Sequence, residues 1–244
     1  MLASSPNILA FETSSPFLSV ALKKGTHKIA ETLLEGFMSH GENLVPLIRN
    51  LLKKKKLLFD DLDYCLIGRG PGSFTGLRVG FATLKGFLAA KKIACFGMLS
   101  LDIIAEGISL PEGSDLAICL DAFREKIYFR LYHRENGCWS PTSPARVLSP
   151  AETGSLLTAG TYLAGNALSK YREFFMDQFS GKALHLLPEK TWYPKASQLI
   201  GAFLNQSRMP KGAFQKLEKP ADFLPLYFRL SEAEEKRKAY AAAC

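Results

Sequence analysis

The spacing of apolar residues at the start of the chain predicts three strands followed by a helix. Apolar runs at 8–11 and 17–22 flank the polar turn ETSSP, which is typical of a hairpin, and 27–34 forms a third predicted strand. Apolar residues then recur three or four positions apart and mark one stripe of a helix: Leu44, Ile48, Leu51 and Leu52. The pattern therefore favours a hairpin unit that leads into an amphipathic helix.

The start of this helix has two alternative caps. Ser39 followed by Glu42 is a capping-box pattern. Pro46 argues for a later start, because a proline in a helix interior costs about 3 kcal/mol. With Asn43 as the cap, Pro46 would fall in the first turn, where proline is tolerated.

Strands and helices alternate beyond residue 60. Strands are predicted at 62–67 and 93–96, and helices at 74–90 and 99–106. Such alternation is typical of a mostly parallel sheet with helices on both faces.

The second half of the chain begins with the same pattern as the first. An apolar strand at 116–120 ends in Asp121 and is followed by a return strand at 126–133, as the strand at 8–11 ends in Glu12. The two acidic residues lie 109 positions apart, which favours an internal duplication.

The predicted organisation is an N-terminal half at 1–109, a C-terminal half at 110–230 and a tail at 231–244. The remaining predicted elements of the second half are a strand-to-loop exit and two helices: 163–167, 169–179 and 196–205. The tail pairs glutamates with lysines at helical spacing, so we expect a terminal helix.

Composition excludes several classes of protein. Of 244 residues, 47% are hydrophobic and 22% are charged, which excludes disordered and collagen-like chains. The five cysteines form no C-x-x-C pair, so neither a disulfide framework nor a zinc site is predicted. Because the chain shows no signal-peptide pattern and no apolar segment of about 20 residues, we expect a cytoplasmic protein without a membrane span.

The net charge of +8 allows an anionic partner such as nucleic acid. No zinc-finger spacing or arginine tract accompanies this charge. The densest basic run, at 53–56, is better explained as a solvated helix end, where cations suit the helix dipole.

The most informative segment is GRGPGSFTGLRVG at 68–80, between a predicted strand and a predicted helix. Backbone N–H groups of such a loop, with the helix N-terminus, could cradle a phosphate. The segment lacks the ending of a Walker A loop, and Ser73 stands where the dinucleotide fingerprint needs glycine. Glycines also serve turns that need positive φ, so phosphate binding and a purely structural loop both stay open.

The helix after this loop has two distinct faces. One is an apolar stripe: Leu77, Phe81, Leu84 and Leu88. The other is rich in small residues: Gly76, Gly80, Thr83 and Phe87. Interior glycines cost about 1 kcal/mol relative to alanine, so they indicate close approach of another backbone. A neighbouring helix of this chain and a helix of a partner subunit both fit the pattern.

Few residues suggest catalysis. No histidines are spaced as metal ligands, and His40 is expected to make local hydrogen bonds. Ser73 lies outside a G-x-S-x-G motif. Glu12 and Asp121, at strand ends, could hold a hydrated magnesium ion near a nucleotide or bond the backbone amides of their own turns.

Taken together, these segments resemble the bacterial TsaB (YeaZ) family, and the glycine loop is the most specific of them. The matching segments are 8–15, 19–22, 40–52, 68–80, Asp121-Ala122 with Tyr128, 193–196 and 225–229. The resemblance implies an α/β fold of the actin-like, sugar-kinase and Hsp70-ATPase (ASKHA) type with two duplicated halves. It also implies a role in making threonylcarbamoyladenosine next to the anticodon of tRNAs that read codons beginning with A.

The resemblance further implies a partner subunit rather than the enzyme. The catalytic paralogue, TsaD, carries a paired-histidine metal site, whereas the segment GMLSLD at 97–102 has no histidine. We therefore expect a noncatalytic subunit that forms a heterodimer with a TsaD-like subunit and works alongside a TsaE-like ATPase. The resemblance also implies that the complex uses ATP and meets the tRNA, that this chain needs no cofactor of its own, and that it can form a homodimer when alone.

The resemblance also suggests where such functions lie. The expected partner interface is on helices of the first half: Leu44, Ile48, Gly72, Ser73, Phe74, Gly76, Gly80, Thr83 and Phe87. A vestigial nucleotide site is expected at four positions: Glu12, Asp121, Gly165 and Asn166. Glu12 replaces the aspartate usual in the family, and Phe123 stands where arginine is common. Alternative functions are an ATPase or kinase that uses the glycine loop with Glu12 and Asp121, and a glycoprotease, for which the sequence offers no metal pair or nucleophile–base pair.

Overall fold

Two β-sheets with helices packed on them form the framework of the protein. A computed structural model describes residues 5–36, 40–178, 183–219 and 222–228. The first half contains β1 (Ile8–Glu12), β2 (Phe17–Lys23), β3 (Ala30–Glu35), α1 (His40–Lys54), β4 (Tyr64–Gly68), α2 (Phe74–Ala90), β5 (Ala94–Met98) and α3 (Ser100–Glu106). The second contains β6 (Asp115–Asp121), β7 (Ile127–Glu135), β8 (Cys138–Pro141), β9 (Arg146–Leu148), α4 (Pro150–Ser155), β10 (Tyr162–Ala164), α5 (Leu168–Gln178), β11 (His185–Leu186), α6 (Ala196–Leu204) and β12 (Gln215–Leu217).

The two sheets repeat one strand order. The first sheet runs β12-β5-β4-β1-β2-β3 and the second β11-β10-β6-β7-β8, with β9 also paired to β7. In both, the opening strand pairs antiparallel with the next strand and parallel with a strand that follows a helix. This repetition confirms the predicted α/β fold of two duplicated halves.

The prediction of a mostly parallel sheet is wrong. In the first sheet β1–β4 and β4–β5 are parallel, whereas β1–β2, β2–β3 and β5–β12 are antiparallel. The first three strands follow one another through short connections, which permit only antiparallel pairing, and only the helical crossovers produce parallel neighbours.

The last helix of each half packs on the sheet of the other half. Buried residues of α3 and β6 share one cluster: Leu101, Ile104, Ala105, Leu116 and Ile118. Buried residues of α6 and β1 share another: Leu199, Ile200, Phe203, Ile8 and Ala10. The halves therefore interlock. From the segment 110–230, α6 packs on the first sheet and β12 is one of its strands. The boundary at residue 109 stays a prediction.

The stripe predicted for α1 is buried, but the helix begins earlier than Asn43. It starts at His40, so Pro46 lies inside the helix, exposed to solvent. The buried His40 ring places its Nδ1 2.9 Å from the Gly36 carbonyl oxygen and its Nε2 3.0 Å from that of Ser15, which anchors the helix start. Asn43 as the cap is therefore wrong, while Ser39 lies outside the described residues.

The predicted tail helix at 231–244 also lies outside the described residues. No helix within the described ranges is long and apolar enough to cross a membrane.

Candidate functional site

The glycine loop packs on the turn that follows β1. A side chain at Gly72 would overlap the Ser14 backbone, and one at Gly76 would overlap the Thr13 carbonyl oxygen. A Cβ atom at Gly80 would lie 2.6 Å from the hydroxyl oxygen of Thr13. The small residues of α2 therefore allow close approach to a turn of the same chain, not to the helix that the sequence suggested.

Donors of the loop are used within the chain. The backbone N–H of Ser73 donates to the Ser14 carbonyl oxygen at 2.7 Å. The Ser73 hydroxyl accepts the N–H of Gly76 at 3.2 Å and thereby caps α2. These contacts favour the structural explanation of the loop over a phosphate cradle.

Glu12 is completely buried beneath the loop. Its Oε1 accepts the backbone N–H of Ser14 at 2.6 Å, and its Oε2 accepts the Ser100 hydroxyl at 3.1 Å. A side chain at Gly68 would overlap the carboxyl group, so the glycine makes room for the acid. Burial raises the pKa of Glu12, and the hydrogen bonds from Ser14 and Ser100 partly oppose that shift.

Asp121 makes the equivalent turn in the second half. Its Oδ1 accepts the backbone N–H of Phe123 at 2.9 Å, two residues on, as Glu12 accepts that of Ser14. The Asn166 side chain accepts the Asp121 N–H at 2.9 Å. Gly165 lies against Cys119 in β6, whose carbonyl oxygen a side chain at 165 would overlap. Glu12 and Asp121 therefore each accept a backbone amide of their own turn, which is the second of the two roles suggested by the sequence.

A cleft of about 890 Å³ lies between the halves. Its lining includes Ser73 and Phe74 from the loop region, with Asp121, Phe123 and Asn166 from the second half. Glu12, which is 0% exposed, does not reach it. Glu12 and Asp121 therefore do not meet in the cleft as a pair that could position a nucleotide together with its metal ion.

The described residues meet neither the requirements of a metal site nor those of a protease nucleophile with its base. Within 5–36, 40–178, 183–219 and 222–228, no three histidine, cysteine, aspartate or glutamate side chains are grouped to hold a metal ion. The Ser73 hydroxyl caps α2, and the His40 ring nitrogens lie on carbonyl oxygens, so the two are not a nucleophile and its base.

The residues expected at a partner interface separate into buried and accessible sets. Four are buried within this chain and present little or no surface to a partner: Leu44, Ile48, Gly76 and Gly80, of which Ile48 also contributes to the lining of a groove beside α1. The others are partly exposed: Gly72, Ser73, Phe74, Thr83 and Phe87. The latter set follows the outer side of α2 and its entry loop.

An open groove of about 740 Å³ separates α1 from α2 and continues to the turn after α1. We call it the α1–α2 groove. Its apolar lining includes the side chains of Val45, Leu58, Phe59 and Phe87, of which Leu58 is 71% exposed. Its basic lining comprises Arg49, Lys53 and Lys56.

Sequence reasoning missed Val45, Leu58 and Phe59 as candidate contact residues. It treated the neighbouring basic run only as a solvated helix end. An available signal was the apolar pair Leu57-Leu58 directly after four lysines, because interfaces commonly place apolar residues inside a polar rim.

The segment 225–228 brings the last motif of the sequence back to the glycine loop. The Leu226 N–H donates to the Arg69 carbonyl oxygen at 3.0 Å. The Tyr227 ring stacks on Phe74 with centroids 4.9 Å apart, and its hydroxyl accepts the Arg78 Nε–H at 3.3 Å. The two motifs thus form one surface although about 150 residues separate them.

Several of the known proteins that this chain resembles in sequence carry names connected with tRNA threonylcarbamoyladenosine. A family model described as TsaD, tRNA N6-adenosine threonylcarbamoyltransferase, matches residues 37–236. The chain is 26% identical to the tRNA threonylcarbamoyladenosine biosynthesis protein TsaB of Bacillus subtilis over 94% of this chain and 96% of that one. It is 30% identical to the TsaB protein of Escherichia coli over 59% of this chain and 62% of that one, somewhat less than two thirds of that relative.

Solved structures agree with these relatives. YeaZ from Pseudomonas aeruginosa superposes with a TM-score of 0.74 at 25% identity, over 91% of this chain and 99% of that one. A second structure, of an uncharacterised protein with similarity to peptidase YeaZ from the same organism, has a TM-score of 0.74 and an identity of 25%. The match covers 92% of this chain and 100% of that one. The chain therefore belongs to the TsaB (YeaZ) family, within the wider family that the TsaD model describes.

Proposed function

We propose that this chain acts in tRNA threonylcarbamoyladenosine biosynthesis as a noncatalytic subunit that binds and activates a TsaD-type catalytic subunit. The relatives that cover most of the chain carry the name of that biosynthetic pathway. The matching family model describes the threonylcarbamoyltransferase itself. We therefore take a catalytic protein of that family as the partner of this chain.

The observation that carries the noncatalytic part is the position of Glu12. Its carboxyl group is enclosed under the glycine loop and bonded to Ser14 and Ser100. Of the two strand-end acids, only Asp121 lines the cleft, and its carboxylate accepts the N–H of its own turn. With Glu12 withdrawn, the strand-end acids form no pair for holding a metal–nucleotide complex, and the other acid in the lining, Glu42, belongs to the first turn of α1.

The proposed docking surface is the α1–α2 groove with the outer side of α2. It combines exposed apolar side chains, Val45 and Leu58, with three basic ones. A partner surface with an apolar centre and an acidic rim fits this pattern, since complementary charge orients the partner and apolar contact stabilises the complex.

The same surface would serve the other expected assemblies. In isolation, two copies could bury Val45 and Leu58 against each other as a homodimer, which the catalytic subunit would displace. A TsaE-like ATPase and the tRNA would then meet the heterodimer rather than this chain alone, and ATP would be consumed by the complex.

The experiment is a calorimetric titration of the chain into the TsaD-type subunit of the same organism. Leu58→Glu places a charge at the exposed apolar edge of the groove and should weaken binding at least tenfold. Leu156→Glu is the matched control, because Leu156 is 37% exposed in the second half, away from the groove, and its replacement should leave affinity unchanged. Equal affinities for the two variants would remove the groove from the interface.

A charge reversal tests the basic side of the groove independently. Arg49→Glu should weaken the heterodimer, and the loss should shrink as salt rises, since ionic attraction is screened. Arg172→Glu, on the exposed side of α5, is the control. The chain's gel-filtration volume for each variant shows whether the homodimer uses the same groove.

A nucleotide-binding function is the second candidate, because the inter-half cleft of about 890 Å³ has room for one and carries Asp121 and Asn166. Its test is ATP binding and hydrolysis by the isolated chain with magnesium, compared with Asp121→Ala. Hydrolysis that disappears in the variant would favour this function over the scaffold.

A further inference from the structure

A second cavity, of about 380 Å³, lies where the edge of the first sheet meets α3 and the second sheet. Its volume is within the range of roughly 300–1,000 Å³ that is usual for small-molecule sites. Five charged residues in its lining decide its chemistry: Arg69, Asp102, Glu106, Arg130 and Lys211. None of the expected functional residues lies in it.

Arg69 is a buried cation with an unsatisfied donor. Its residue is 5% exposed, and its side chain lies across Gly97, where any larger residue would overlap it. One terminal N–H donates to the Gln215 side chain. Among the described residues, its buried Nε–H has no hydrogen-bond partner, so the cation is incompletely satisfied within the chain.

The opposite wall is already neutralised. Asp102 accepts two contacts from Arg130, at 2.7 and 2.9 Å, and the Tyr132 hydroxyl at 2.6 Å. Burial and the neighbouring Asp102 raise the pKa of Glu106 to about 7, so this carboxyl is about half protonated near neutrality. The lining therefore retains a net positive charge near Arg69, to which the exposed Lys211 contributes.

The remaining surface of the cavity is apolar. Trp139 and Phe228 present rings to it, and Met98 and Met209 contribute thioether side chains. The Trp139 indole N–H is bonded to the Ile108 carbonyl oxygen at 2.9 Å, which fixes the ring in the wall. A ligand with an apolar body and one anionic end matches this combination.

We propose that this cavity binds a small organic monocarboxylate, whose carboxylate pairs with the Arg69 guanidinium and whose apolar body packs against Trp139 and Phe228. Asp102 does not neutralise the Arg69 guanidinium, and Asp222, the carboxylate that acts on it electrostatically, lies outside the lining of the cavity. A phosphate dianion would face the carboxylates of Asp102 and Glu106 with excess negative charge, so it fits less well. The proposal is independent of docking to a catalytic subunit.

The test uses the chain's two tryptophans as site-specific probes in a ¹⁵N-labelled full-length sample. Cyclohexylacetate should move the indole N–H resonance of Trp139 in a saturable manner while that of Trp192 stays in place. Cyclohexylacetamide has the same body without the charge and should bind at least tenfold more weakly. Trp192→Phe assigns the two resonances.

Arg69→Met keeps much of the side-chain volume and should weaken cyclohexylacetate binding at least tenfold. Arg172→Met, an exposed arginine on α5, should have no effect. The acid–amide comparison uses the unmodified chain, so it decides the proposal even where Arg69→Met lowers stability. A stationary Trp139 resonance up to about 50 mM acid, equal affinity for acid and amide, or tighter binding of inorganic phosphate than of the acid would each overturn it.

Discussion

The carboxyl group of Glu12 occupies the space that a side chain at Gly68 would fill. This pairing of β1 with the end of β4 explains why the glycine-rich segment begins at its observed position. It also explains why an acid at a strand end, which suggested nucleotide chemistry, instead acts inside the fold. The hydrogen bonds from Ser14 and Ser100 hold the carboxyl there.

Gly68→Ala should lower the free energy of unfolding by about 3 kcal/mol, because the new methyl group collides with the buried carboxyl. Gly86→Ala is the matched control, since Gly86 is exposed within α2 and nothing lies within 4 Å of a Cβ atom there. It should stabilise the protein by about 0.5–1 kcal/mol. Urea unfolding followed by circular dichroism measures both.

Shortening the acid provides the complementary test. In the Gly68→Ala background, Glu12→Asp should recover part of the lost stability, because the shorter side chain withdraws from the alanine. Additive losses from the two substitutions would contradict the direct contact between positions 12 and 68.

Arg130→Met should cost about 3–5 kcal/mol near neutral pH, because it leaves Asp102 charged and buried without its partner. Burial already raises the pKa of Asp102 in the intact chain, so protonation relieves the unpaired charge on acidification. The deficit relative to the unmodified chain should therefore shrink as pH falls towards 4, and a deficit independent of pH would contradict it. Lys216→Met breaks the exposed pair with Glu218 and should cost less than about 1 kcal/mol.

Glu106 should make the protein less stable as pH rises. Its folded-state pKa of about 7 lies above the ordinary glutamate value of 4.5, so between these values the folded chain binds more protons than the unfolded one. The free energy of unfolding attributable to this group therefore falls as pH rises through that window. Glu106→Gln should flatten the slope between pH 5.5 and 8 in urea titrations, whereas an unchanged slope would place the titration elsewhere.

Local patterns in the sequence predicted the elements that have strong periodicity. The bounds of α2 are those expected, the stripe of α1 is buried, and the acids at 12 and 121 close equivalent strands. Each of these rests on the spacing of neighbouring residues, which the sequence contains directly.

Long-range arrangements could not be predicted in this way. The short strands β8, β9, β11 and β12 carry no periodicity long enough to recognise, and pairing to a sheet edge defines them. Each of the helices α3 and α6 packs on the sheet of the other half. An apolar stripe shows that a helix is buried on one face, but it does not show which sheet covers that face. The burial of Gly80 against Thr13 follows from that packing, so the sequence could indicate close approach but not the partner.

The central claim is that this chain activates a catalytic subunit by binding it and performs no chemistry itself. The most direct measurement is the rate of threonylcarbamoyladenosine formation by the reconstituted TsaD-type complex, as the concentration of this chain is raised to saturation. Asp121→Asn should reach the same maximal rate as the unmodified chain, and Leu58→Glu should reach it at a concentration at least tenfold higher. A maximal rate at least tenfold lower for Asp121→Asn, with unchanged affinity for the catalytic subunit, would instead assign the chemistry to the cleft of this chain.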